Sequence, residues 1–119
     1  MALTSRVNYG IMRILDSSML SSSYQVLGGA LEASASLLKI VNNGSTDIFI
    51  STDAQIAQDV VPANSFTLYD LTTNAPQGIN GIFFPKGTQF YVKGTAGTGS
   101  VYLVFLYITP SAGNIAVVT

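Results

Sequence analysis

The chain has no cysteine, no histidine and no tryptophan. The first absence excludes disulfides and thiolate nucleophiles. The second excludes Ser–His catalysis, and the two together exclude nearly all zinc sites. Charge is scarce as well. Five Lys and Arg face six Asp and Glu, 9% of 119 residues, for a net charge of −1. Soluble domains average about 25% charged residues. The balance gives no general attraction to nucleic acid or acidic membranes. No run of 18 apolar residues exists, so no transmembrane helix is expected. Met1 to Leu20 carries Arg13 and Asp16 inside its apolar part and does not read as a targeting segment.

The low charge has a consequence for the surface. A 12.5 kDa monomer exposes roughly 6,000 Å², or about 550 Å² per charged side chain. An average composition leaves roughly 200 Å². Such a surface, near zero net charge, favours self-association, and much of it is expected to be interface; the alternative is a Ser/Thr/Asn-rich surface that stays soluble without charge.

What is present is strand. Gly87 to Ile108 reads as a β-hairpin around which the rest packs. Its first arm alternates, with Phe90 and Val92 on one face and Gln89, Tyr91 and Lys93 on the other. The loop 94–99 holds three glycines and suits a turn. The second arm is apolar on both faces: Val101, Leu103, Phe105 and Tyr107 on one, Tyr102, Val104, Leu106 and Ile108 on the other. That predicts a strand covered on both sides.

Upstream, Leu38 and Ile40 alternate with Lys39 and Val41, and Asn43-Gly44 predicts a hairpin turn into a strand within Thr46–Ser51. Ser65–Leu71 predicts another strand, and Asp59–Val61 a short one. Gly81–Phe84 and the tail Asn114–Thr119 are further strand candidates, joined to the rest by a polar connection over Thr72–Asn80. Residues 1–36 differ. Ile11–Leu15 and Tyr24–Leu27 read as short strands around a serine run, and Ala30–Leu38 has no clear apolar helical face. The whole is read as one all-β domain, an antiparallel β-sandwich of jelly-roll or Ig-like type over 37–119, with an extended N-terminal arm over 1–36 that partly joins the sheets.

Chemistry is harder to find. Asp47, Asp53, Asp59 and Asp70 could supply calcium oxygens, but no EF-hand spacing organises them, and loop aspartates commonly serve local hydrogen bonds. Asp53 and Asp59 share a loop, which is no evidence of a cleft for glycoside hydrolysis. The 94–99 loop lacks the lysine of a phosphate motif. Tyr69, Tyr91, Tyr102 and Tyr107 could stack on sugars or bases, though packing is the commoner use. Lys86 and Lys93 alone support no nucleic-acid groove. No catalytic, cofactor-binding or metal residues are assigned, and no cofactor is expected.

One ordered series of segments goes further. Tyr24-Gln25-Val26-Leu27-Gly28 is followed by LLKIVNNGSTDIFISTD (Leu37 to Asp53) and VPANSFTLYDLTTN (Val61 to Asn74). FFPKGTQFYVKG (Phe83 to Gly94) and the strand after the Gly/Thr/Ser loop close it. Over residues 24–108 this resembles a class of small virion proteins of tailed bacteriophages. In that class the ISTD segment often continues as a glycine turn. Here Ala54-Gln55-Ile56 follows, so a reshaped loop is expected. The resemblance implies a non-enzymatic structural subunit of the virion and does not by itself say whether it sits at the neck, on the capsid or on a fibre; the head–tail neck or connector, or a place decorating the capsid, is the expected location. Few charges, polar uncharged loops and the missing catalytic set suit symmetric packing against copies of itself and against capsid, portal or tail components, and no nucleic-acid or membrane partner is expected. The alternative is a β-sandwich binding module that recognises a glycan or cell-surface ligand through its tyrosines and loop aspartates. A small enzyme ranks last.

Overall fold

A computed structural model of the chain describes residues 5–71 and 84–110. The expected polar connection 72–80, the candidate strand 81–84 apart from Phe84, and the tail 114–119 lie outside them. The described residues form two antiparallel sheets, and the fold is an all-β sandwich. The first sheet, sheet A, holds β1 (Ser5–Tyr9), β2 (Arg13–Asp16), β4 (Leu37–Asn42), β7 (Ser65–Asp70) and β9 (Ser100–Pro110). The second, sheet B, holds β3 (Gln25–Val26), β5 (Ile48–Ser51), β6 (Asp59–Val61) and β8 (Tyr91–Gly94).

Sheet A is ordered β1-β9-β4-β7, with β2 following β1 along the same side of β9. Sheet B is ordered β3-β8-β5-β6. The core lies between them. Leu38 and Ile40 of β4 and Val101, Leu103 and Phe105 of β9 meet Ile48, Ile50, Val61 and Val92 of sheet B. Leu20, Leu27, Leu31, Ala35 and Phe90 from the connections close the sides. Residues 5–36, read as an arm, thus contribute three strands and four buried core side chains.

Both expected hairpins are corrected. β8 and β9 do not pair: β8 bonds to β3 and β5, and β9 to β1, β2 and β4. Likewise β4 and β5 lie in different sheets. The two glycine-bearing loops are crossovers, and they bond to each other instead. Asn43 N donates to Ser100 O, Ser45 N to Thr98 O, and the Thr46 hydroxyl to Thr95 O. A glycine loop allows a reversal or a crossing equally well, and only the partner strands decide. At Gly99 (φ 90°) the crossing is so close that a Cβ would lie 2.0 Å from Asn43 O.

Asn42 organises this end. Buried at the close of β4, its side-chain amide donates to the carbonyls of Thr46, Val61 and Pro62, while Oδ1 accepts from Gly44 N. Arg13 anchors the other flank of β9. Its guanidinium, buried above the Phe105 ring, donates to the carbonyls of Ile11, Gly29 and Ala30 and to Glu32. It ties the 28–32 connection onto sheet A.

Candidate interaction face

Side chains alternate along each strand, so sheet A has an inner face in the core and an outer one. The register aligns the outer residues in rows. Phe66, Val41, Tyr102 and Ile14 form one row across four strands. Leu68, Lys39 and Val104 form the next, and Leu37, Leu106 and Tyr9 continue the pattern toward Ile108 and Val7. Much of this apolar surface meets solvent. Tyr9 is 78% exposed, Val7 64%, Phe66 62% and Ile14 55%. With Leu68 and Ile108, these side chains present roughly 600 Å² or more. The largest apolar patch on a typical monomer is about 300–600 Å².

The expectation that β9 is covered on both faces therefore holds for one face. Val101, Leu103 and Phe105 are buried, whereas Tyr102, Val104 and Leu106 are only half-buried and Ile108 is exposed. In β7 the alternation is inverted: Phe66 and Leu68 point outward while Thr67 and Tyr69 are half-buried. A rule that sends the larger apolar set inward would misplace this strand. The signal that finds it is the combination of β7's outward apolar pair with β9's second apolar face.

The residues weighed for chemistry are dispersed. Asp47 accepts from Ala63 N. Asp53 accepts from the Ser51 hydroxyl and from the backbone N–H groups of Ile56 and Gln55, which hold its carboxyl below the usual range. Asp59 accepts from the Tyr69 hydroxyl, and Asp70 lies on the outer side of β7. Among the described residues no three Asp, Glu, His or Cys converge as a metal site. Burial, reinforced by the Asp59 carboxylate, pushes the Tyr69 phenol well above its ordinary value. Tyr69, Asp59, Phe84 and Phe90 line a cleft of about 300 Å³ between the sheets, where Phe84 stacks edge-on against both other rings. Tyr102 joins the outer face, and Tyr107 packs beside Phe105. Lys93 lies 4.7 Å from the centre of the Tyr24 ring, beside a shallow polar basin lined by Ser21, Thr46, Asp47 and Phe49. Lys86 lies away on the turn at 85–88, its N–H on the Ser34 hydroxyl.

In the 52–57 loop Ala54 adopts the left-handed conformation (φ 63°). The Ser51 hydroxyl accepts from Asp53 N and Ala54 N and so helps hold the turn.

No protein-family model and no curated protein matches the chain. Among solved structures it is similar to the SPP1 Dit (gp 19.1) protein, described as a paradigm of the hub adsorption apparatus in Gram-positive infecting phages. The identity is 11% and the TM-score 0.39, over 85% of this chain and 49% of that one. The chain thus spans about half the length of that protein.

Proposed function

We propose that the chain is a non-enzymatic structural subunit of a tailed-bacteriophage virion, at the head–tail neck or connector or on the capsid. The outer face of sheet A packs against neighbouring virion proteins. One observation carries the docking role: β9 is apolar on both faces, and the described residues bury only one of them. An exposed apolar face of this size is costly in water unless a partner covers it. The series of segments from Tyr24 to Ile108 supports the virion class. The likeness to the SPP1 hub protein is too distant to add weight.

The test is to supply Phe66→Lys in place of the parent chain during particle assembly and to measure its incorporation. The variant is expected to fold and to be depleted from purified particles. Incorporation at the parent's level, or a parent chain absent from particles, would overturn the proposal. Binding of the parent to a surface glycan instead would favour the recognition module.

A further inference from the structure

We infer that sheet A continues from one copy of the chain to the next, with β7 of one pairing antiparallel to β1 and β2 of its neighbour. This deepens the subunit reading and rests on it for the presence of many copies.

Strand direction makes the contact possible. Each pair in the order β1-β9-β4-β7 is antiparallel, so β1 and β4 run one way and β9 and β7 the other. Among the described residues β1 and β7 are the edge strands, and they therefore run in opposite directions. A second copy laid alongside in the same orientation brings its β1 beside β7, already antiparallel. The alternation passes across the joint unbroken. Such a contact is heterologous, and strand twist turns successive copies into a closed ring or a helical array.

The edge groups point the right way. Leu71 N donates to Ser36 O, and the ladder alternates from there, so the backbone groups of Phe66 and Leu68 face away from β4. On the opposite side Gly10 N donates to Phe105 O and Ser17 N to Gly99 O. By the same alternation Val7, Tyr9 and Ile14 turn their backbone groups away from β9.

Among the described residues no further segment pairs with either edge. β7 contains no proline, glycine or lysine, and Phe66, Leu68, Val7, Tyr9 and Ile14 point outward uncharged; the outward charges, Asp70 of β7 and Asp16 of β2, sit only at the strand ends. Sheet B differs: its edge strands β3 and β6 have only two and three residues. Very short edge strands are a common protection against pairing, and sheet A lacks it. The joint would also set Phe66 and Leu68 of one copy beside the exposed β1 and β2 side chains of the next, extending the apolar outer face.

Light scattering on the full chain tests this. The parent should run as a trimer or larger assembly of 12.5 kDa chains. Leu68→Pro and Val7→Pro each remove an N–H that faces an open edge while sparing the internal ladder. Each variant alone should be monomeric. Mixed, they should form a one-to-one dimer and nothing larger, because each retains the edge the other lacks. Circular dichroism checks their folding. If a proline variant unfolds, Leu68→Lys and Val7→Lys replace the pair and must give the same pattern. A monomeric parent, or an assembly that survives both blocked edges, overturns the inference. A monomeric parent that still enters particles would overturn edge pairing and leave the virion reading standing. Edge-blocked assembly by a chain absent from particles would do the reverse.

Discussion

The side-chain amide of Asn42 donates to the carbonyl oxygen of Val61 at 3.0 Å, joining the end of a sheet A strand to the end of a sheet B strand. The same nitrogen lies within hydrogen-bond distance of the Thr46 and Pro62 carbonyls, so one buried side chain serves both crossings, 42–48 and 61–65. Asn42→Ala leaves these carbonyls without their donor and Gly44 N without its acceptor. A loss of about 2–4 kcal/mol is expected by chemical denaturation. Asn42→Asp places a carboxylate against the carbonyl oxygens. It should be weaker at about pH 7 than at about pH 4, where the protonated acid can donate one bond. A loss below 1 kcal/mol for either variant at about pH 7 would show that the crossings are held elsewhere.

Phe105 and Phe66 test the two faces of sheet A against each other. Phe105 is fully buried beneath the Arg13 guanidinium, and Phe105→Ala should cost about 3–5 kcal/mol. Phe66→Ala, on the outer face, should shift the stability of dilute protein by no more than about 0.5 kcal/mol. Equal losses would mean that the outer face is covered within a single chain.

Ala54 holds a positive φ of 63° without being glycine. Ala54→Gly relieves that strain and should raise stability by about 0.5–1 kcal/mol, read as a higher urea midpoint. An unchanged or lower midpoint would place the loop in another conformation in solution.

Stability should fall at both extremes of pH. Burial opposes ionisation of Glu32, but the Ile11 N–H and the Arg13 guanidinium hold its carboxyl below the usual range. The Ser18 N–H does the same for Asp16, and the Ser51 hydroxyl with two backbone N–H groups for Asp53. A depressed carboxylate stabilises the fold above its ordinary value, 4.5 for Glu and 3.8 for Asp. That contribution is lost as pH falls through the lower folded value. The raised Tyr69 phenol acts oppositely: its contribution is present below the ordinary value of 10.0 and is lost as pH rises beyond it. Urea midpoints across pH check both limbs. Glu32→Gln should flatten the acid limb and Asp59→Asn the alkaline one; a variant with the parent's profile would remove that group from the explanation.

The sequence by itself determined most of the strands, though not β1 (Ser5–Tyr9), and in most of those which side faces inward. Leu38 and Ile40, Ile48 and Ile50, and Phe90 and Val92 announce their buried side because period-two alternation is carried by neighbouring residues. β9 announced two apolar faces for the same reason. Only the tertiary structure decided the partners. Asn43-Gly44 and the 94–99 loop have the composition of hairpin turns, yet both cross between sheets and bond to each other. Their choice depends on Asn42 meeting Val61 and on Gly99 meeting Asn43, contacts between residues far apart in the chain that no local pattern encodes. The outer face of sheet A was half legible. The second apolar side of β9 could be read, but the inverted β7 could not, because its outward Phe66 and Leu68 are the residues a core rule sends inward. Arg13 was hidden as well: an arginine in a strand reads as solvated, and its burial depends on three carbonyls and a carboxylate that the 11–32 segment delivers only when folded.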